Sequence, residues 1–500
     1  MTKRTIRIAG IGLAGLMGLM AIAVGAFFVV LMRGPIHVGF LNSYAENVVQ
    51  GAFGQTGDGI RVVIEDSILV WDDNENGVDF RAVNASLIGA AGETLFEFPR
   101  ISLRLSAWAL LRGRLAPAGL EMSGARVRLY RGGNGGFALG LGSVREVAVD
   151  DRDLPLGDII RNIVSETGTA SRYLRSLAIT ESSFEYQDPE GGRIFTANDV
   201  TVVFDRGRDG LTATASLNLV TGQLASRIEI SGIIDPGGDN LELAFDFTDL
   251  PPALLGQIEP RLSLFDRLHL PVSGSILTVI GSGARVESIT FDLQGGAGWI
   301  GAAELGLKPL PVSFVGLKGR VDDDFRLFTL ENMHLEIDDA VTELSGIVYV
   351  DQGVASAQID MTAKALPIEE IVKLVPMGEE KSITRWIKEH LFSGTIDDLE
   401  ARMSATMPVG VDNVEGGQER GGLSLESLTG RFDFSDVHGK YLKAMTPISG
   451  VSGFGVMDNR SIKVEITHGR YDETMVIVER GLVTIDDFTV PEMKARLEAT

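Results

Sequence analysis

The feature that most constrains this chain is a period of two in its apolar residues. Between Leu241 and Thr248 the side chains run Leu, Glu, Leu, Ala, Phe, Asp, Phe, Thr, and successive side chains of a β-strand point to opposite faces of the sheet. The same alternation recurs at 289–293, 335–338, 359–362 and 462–467. The sequence therefore predicts a mainly β fold whose strands each have one apolar and one polar face.

Further strands and many turns are predicted along the rest of the chain. The strands fall at 60–70, 95–105, 120–122, 127–130, 183–186, 200–204, 399–407 and 432–434. Glycine supplies 60 of the 500 residues, well above the usual share of about 7 %, and the clusters at 72–77 and 132–136 are typical of turns. The chain has no cysteine, which excludes disulfides and thiolate chemistry.

Helical spacing of apolar residues occurs in only four patches. They lie at 36–53, 158–177, 251–268 and 368–391, the last interrupted by Pro376. These patches are separated by long strand-only intervals, so helices cannot cover the apolar faces of the strands. Two arrangements remain open at this point. The sheet may fold against another sheet as a sandwich or barrel with a filled core, or it may form an elongated, curled antiparallel sheet whose groove holds a hydrophobic ligand.

The N-terminal segment predicts a membrane anchor. From Ile8 to Met32 there is no charged side chain, and a helix of that length is roughly 37 Å long, enough to cross a hydrocarbon core of about 30 Å. Lys3, Arg4 and Arg7 precede the segment, so residues 1–7 are expected in the cytoplasm, 8–32 in the membrane and the remainder beyond it. A cleaved signal peptide is the alternative, but the apolar run exceeds a typical h-region and lacks a small-residue cleavage site.

Charge and motifs argue against several function classes. The formal net charge of −23 disfavours nucleic acid as a partner, since phosphate binding needs clustered cations. The run from Asp72 to Gly77 opens like an EF-hand loop, but Val83 stands where its glutamate belongs, so a hairpin turn is the preferred interpretation. The six histidines are scattered and the run 322–324 fits a charged turn. The sequence thus predicts no catalytic residue, no metal site and no cofactor.

Several stretches resemble one known family. They include Pro99–Leu105, Leu110–Leu115, Leu120–Arg131, the region of Trp386 with 391–396, and 428–437 followed by 448–453 and 482–487. Together with the N-terminal apolar segment, this order is similar to the AsmA-like superfamily of Gram-negative envelope proteins, which includes the YhdP and TamB groups, and most similar to the YhdP-like branch. The resemblance implies an inner-membrane anchor, a repeating periplasmic β-groove and non-enzymatic phospholipid transport that supports the outer membrane.

The expected organisation follows from the anchor, the helical patches and this resemblance. After the anchor we expect an N-terminal AsmA-like β module at 33–150 and three units of helix plus β-groove at 151–250, 251–365 and 366–500, continuing in a longer protein. A short Glu-apolar-Ser-Gly pattern recurs at 121–124, 229–232 and 343–346, a weak sign of repetition.

Alternate residues of a strand share one face of the sheet, and this rule gives the residues expected to line the groove. They are Val200, Val202, Phe204, Leu241, Leu243, Phe245, Phe247, Ile289, Phe291, Leu293, Phe432, Phe434, Val464 and Ile466. The expected partners are phospholipid acyl chains and the inner membrane, with outer-membrane or periplasmic proteins as further candidates and no nucleic acid. The alternative function is an envelope scaffold or outer-membrane assembly factor made of dry β-sandwich domains.

Overall fold

The computed structural model describes residues 30, 33–39, 42–43, 46 and most of 61–499. The gaps in the latter range are 73–76, 89–93, 106–116, 132–136, 141–174, 188–192, 208–209, 223, 238–239, 259–264, 283–284, 302–308, 323–324, 374–389, 409–423, 441–446, 472–475 and 487–492. The chain divides into two compact units at Gly238/Asp239, and each is treated separately below.

Unit 1 is a sheet in which most neighbours are antiparallel. Its strands are β1 (Ile36–His37), β2 (Arg61–Asp72), β3 (Gly77–Ile88), β4 (Thr94–Leu105), β5 (Pro117–Ser123), β6 (Arg126–Arg131), β7 (Phe137–Gly140), β8 (Ser176–Gln187), β9 (Arg193–Arg206), β10 (Leu211–Thr221) and β11 (Leu224–Ile234). The strands β1 to β5 pair in order, as do β8 to β11, and β7 pairs with β6. Both β5 and β6 run parallel to β8, a pairing that needs the long connection between β7 and β8.

Unit 2 is an antiparallel meander with a small second sheet. Its elements are β12 (Leu241–Leu250), α1 (Ala253–Ile258), β13 (Leu268–His269), β14 (Val272–Gly281), β15 (Arg285–Gly295), β16 (Gly298–Ile300), β17 (Leu310–Val312), β18 (Phe314–Asp322), β19 (Leu327–Ile337), β20 (Ala340–Asp351), β21 (Val354–Pro367), α2 (Ile368–Lys373), β22 (Leu391–Pro408), β23 (Ser424–Gly439), β24 (Ile448–Asp458), β25 (Ile462–Tyr471), β26 (Ile477–Ile485) and β27 (Met493–Ala499). Apart from β13, β16 and β17, which form the three-stranded sheet, each strand pairs with the next one along the chain.

The predicted mainly β, antiparallel character is confirmed in both units, and the described helices are short. The turn predicted at 72–77 is also confirmed as a hairpin, because Asp72 pairs with Gly77 between β2 and β3. The glycine cluster at 132–136 likewise joins two paired strands, β6 and β7.

The predicted helices were wrong at several of their ends. In the first patch Ile36 pairs with Leu69 as part of β1, whereas the described residues Asn42, Ser43 and Glu46 are helical as predicted. In the second patch, residues 158–174 lie outside the described residues and Leu177 belongs to β8. In the third patch the described helix is α1 and Leu268 belongs to β13, while residues 259–264 lie outside the described residues. In the fourth patch α2 and His390 are helical and Leu391 begins β22, while residues 374–389 lie outside the described residues. Ladder hydrogen bonds to neighbouring strands outweigh local helical spacing at these ends.

The predicted anchor at 8–32 lies outside the described residues, apart from Val30. Among the residues that the structure describes, no helix combines the length and apolar character needed to cross a membrane.

The buried core of unit 2 collects at one end of the meander, which we call the capped end. Helix α2 contributes Ile368 to a cluster of buried side chains, the others being Ala340, Ala363, Leu366, Ile396, Leu399, Phe434, Val437, Ile448 and Val451. At the small sheet, Leu270, which follows β13, and Val312 of β17 pack on Ile337 at the end of β19. Two short elements therefore cover the sheet where β19, β21 and β23 end.

Candidate functional site

One face of the unit 2 meander collects the predicted lining residues. In β12, Leu241, Leu243, Phe245 and Phe247 stand opposite Ile280, Thr278, Ile276 and Gly274 of β14. In β15, Ile289, Phe291 and Leu293 stand opposite Thr278, Ile276 and Gly274 of the same strand. Because residues directly opposite in an antiparallel pair place their side chains on the same face, these seven residues share one face of the sheet.

That face continues through the whole meander without a polar interruption in its central row. From β12 to β27 the row of directly paired residues is Phe247, Gly274, Leu293, Leu317, Met333, Leu344, Met361, Ala401, Gly430, Met457, Ile462, Ile485 and Met493. We call the side of the sheet that carries this row the apolar face.

The remaining predicted lining residues of unit 2 lie in the next two rows of the apolar face, on the side of the central row that leads to the capped end. Phe432 stands between Leu399 and Gly455, and Val464 follows it on β25. Phe434 stands between Ile396 and Gly453, and Ile466 follows. Phe434 is buried in the cluster at the capped end, so in this structure its ring is part of the protein core.

Burial separates the apolar face from an ordinary core. The side chains of Phe245, Phe291, Met333 and Leu344 are half-buried, whereas those at the capped end are buried. Side chains between two packed sheets interdigitate at crystal-like density and lose nearly all contact with water. At these four positions the apolar face therefore lacks such a covering layer, although Ala355, Ala405 and Ile485 on the same face are buried.

The opposite side of the same sheet, the polar face, carries charges paired across strands. The guanidinium of Arg402 donates to Asp360 at 2.6 Å and that of Arg431 donates to Glu400 at 2.9 Å. The imidazole of His334 lies 3.0 Å from Glu336 and 3.4 Å from Glu343. Its hydrogen bond with Glu336, helped by the one with Glu343, raises the pKa of His334 against the lowering effect of burial. The polar face thus carries water-exposed charges, together with exposed apolar side chains such as Ile347 and Val456.

In unit 1 the predicted lining residues also share a face, but their neighbours differ in burial. Val202 and Phe204 of β9 stand opposite Ile179 and Leu177 of β8, and Val200 stands opposite Ser182. All three predicted residues are half-buried. Towards β3–β5, by contrast, the side chains on this face are core residues; Phe80, Ile101 and Leu103 are 3 %, 2 % and 2 % exposed.

Glycines opposite aromatic rings shape the surface of the apolar face. A Cβ built on Gly453 would lie 2.9 Å from Cζ of Phe434, and one built on Gly319 would lie 2.9 Å from Cζ of Phe291. Phe432 covers Gly455 in the same way. The rings therefore extend sideways over the neighbouring strand, and the alternation within a single strand gave no sign of this.

The central row of this face consists of apolar side chains and glycines. Within the described ranges, no group of His, Asp and Glu side chains is arranged to hold a metal ion. The titratable groups of the meander described above lie on its polar face, away from the central row. The fold and the face together define a mainly β protein whose antiparallel meander leaves one apolar side half exposed. Comparison of the chain with protein-family models, characterised proteins and solved structures found no match.

Proposed function

We propose that the apolar face of unit 2 holds the acyl chains of phospholipids and that the protein serves as a passive lipid conduit. The observation that carries the proposal is the apolar central row, whose side chains from Phe247 through Leu293, Leu317, Met333 and Leu344 to Met361 are half-buried rather than enclosed. In the proposed complex, acyl chains complete the burial of this face while headgroups stay in water. No covalent step is involved.

The energetics favour such a role for a continuous face. A sixteen-carbon chain gains about 0.8 kcal/mol per CH₂ on leaving water, or about 13 kcal/mol in all. A lipid would meet that barrier in free solution, whereas a chain that moves between neighbouring apolar strands exchanges one hydrocarbon contact for another. At about 4.8 Å between strands, the meander from β12 to β27 extends roughly 58 Å along the sheet, longer than one acyl chain.

The proposed location follows from the sequence. The charge-free segment 8–32 supports a single inner-membrane anchor with a cytoplasmic N-terminus, and the resemblance to AsmA-like proteins supports a periplasmic course towards the outer membrane. In this arrangement the conduit moves phospholipid between the two membranes and so supports outer-membrane integrity.

Lipid content of the purified protein tests the proposal. Phe245→Asp places a carboxylate on the apolar face, whereas Thr248→Asp places the same group at an exposed position of the same strand. After purification in mild detergent, we expect phospholipid per protein, measured by mass spectrometry, to fall in the first variant and to match the wild type in the second. Equal lipid content in Phe245→Asp and wild type would overturn the proposal.

One observation favours a second candidate, an envelope scaffold built on a dry core. The buried side chains of β3–β5, including Phe80 and Leu103, behave like an ordinary protein core and offer no surface to lipid. A scaffold would yield a specific protein crosslink in the envelope and no bound lipid in the intact chain.

A further inference from the structure

Four methionines lie on the apolar face between β19 and β24. Met333, Met361 and Met457 belong to the central row, with Leu344 between the first two and Ala401 and Gly430 between the last two. Met403 lies in the adjacent row, directly opposite Ile359 and Leu428. We call these four residues the methionine band.

All four residues are half-buried in the described structure, so part of each remains exposed to solvent. Met361 and Met457 touch the edge of the core at the capped end, but Met333 and Met403 are outside that cluster. A Cβ built on Gly430 would lie 2.7 Å from Cε of Met457, so this thioether extends across the neighbouring strand. In contrast, Met122 on β5 is a core residue with 5 % exposure.

Thioethers differ from the leucines and phenylalanines beside them in one reaction. A hydroperoxide transfers one oxygen atom to the sulfur as its O–O bond breaks, giving a sulfoxide and water when the oxidant is hydrogen peroxide; sulfur is oxidised by two electrons and the peroxide is reduced by two. The product is polar where the thioether was apolar. Four such groups would place sulfoxide dipoles at intervals along the apolar face from β19 to β24.

We propose that the methionine band is an oxidation site at which peroxides switch the apolar face from holding acyl chains to excluding them. The effect on lipid rests on the proposed function, whereas the selective oxidation of the band does not. Acyl chains that cover the band would also shield its sulfur atoms, so lipid-loaded protein is oxidised more slowly at these positions than protein stripped of lipid.

The experiment treats the full-length protein, lipid-loaded and delipidated, with hydrogen peroxide and follows each methionine by peptide mass spectrometry. In delipidated protein, we expect the four band residues to be oxidised about tenfold faster than Met122. In loaded protein, oxidation of the band should be slower and should release lipid. A variant with all four methionines changed to leucine, which nearly conserves side-chain volume, should keep its lipid under the same treatment, and circular dichroism before and after oxidation checks that the sheet persists.

The outcomes are distinct. Oxidation of the band no faster than that of Met122 would overturn the oxidation site. Oxidation of the band with full retention of lipid would overturn the switch and leave the proposed lipid function standing. Absence of lipid from untreated protein would overturn the proposed function and with it the switch, while the oxidation rates would still decide whether the site exists.

Discussion

The ring of Phe432 on β23 lies over Gly455 on β24. A Cβ added to Gly455 would lie 2.7 Å from Cε1 and 2.9 Å from Cε2 of that ring, and the nearest atoms to it all belong to Phe432. Glycine in a strand often marks a position where another group approaches closely. Here the glycine lets a large ring lie along the sheet, so the apolar face is built from the sides of rings as well as from upright side chains.

This relationship predicts coupling between the two positions. Gly455→Ala should destabilise unit 2 by about 1–3 kcal/mol, because the ring must leave its place in a packed environment. In a Phe432→Leu background the same change should cost less, since the ring is gone. Urea unfolding of the four proteins gives the coupling free energy, and strictly additive effects would contradict the contact.

The capped end predicts a second stability difference. Ile368 is 5 % exposed and packs with Leu366, Ile396 and Val437, so Ile368→Ala should cost about 2–5 kcal/mol. Ile347 on the polar face is 43 % exposed, and Ile347→Ala should change stability by less than about 0.5 kcal/mol. Hydrogen exchange of the amides in β21–β24 measures both changes, and equal loss of protection in the two variants would argue against α2 as a cap.

The ion pairs of His334 predict a pH dependence with a definite sign. The pKa of His334 is raised in the folded protein by its hydrogen bonds with Glu336 and Glu343. The resulting stability is fully present below the unfolded value of about 6.5 and is lost as the pH rises through the higher folded pKa. The stability difference between wild type and His334→Gln should therefore be larger at pH 5.5 than at pH 8.5.

A titration of His334 by NMR checks the cause directly. Glu336→Gln removes the partner whose hydrogen bond contributes most, and the pKa of His334 should fall in this variant. An unchanged pKa would show that Glu336 does not set it.

Alternation along the chain was enough to predict most of the strands and the face that their side chains share. The alternation at Leu241–Phe247 and at Ile289–Leu293 predicts which side chains share a face, because each strand has only two faces. The registers that bring Phe247, Leu293 and Met361 into one row could not be predicted in this way. They depend on the pairing of distant residues and on bulges such as the one beside Glu331 between β18 and β19.

Contacts with other strands and with α2 also explain the features that could not be predicted from the sequence. Ile36 begins a stretch whose apolar residues have helical spacing, but its backbone pairs with Leu69 of β2. The parallel pairing of β5 and β6 with β8 joins segments whose local patterns give no sign of it. Phe434 has the same parity as Phe432, yet α2 and its neighbours bury only Phe434, since burial depends on what covers each end of the strand.

Strand β15 offers the most direct measurement of which face of the sheet meets lipid. A photo-crosslinking amino acid introduced one position at a time compares Ile289, Phe291 and Leu293 on the apolar face with Thr290 and Asp292, which are exposed on the polar face. In cells labelled with radioactive phosphate, we predict phospholipid crosslinks from 289, 291 and 293 and none from 290 and 292. Crosslinks of equal strength at all five positions, or none at the apolar ones, would contradict the account.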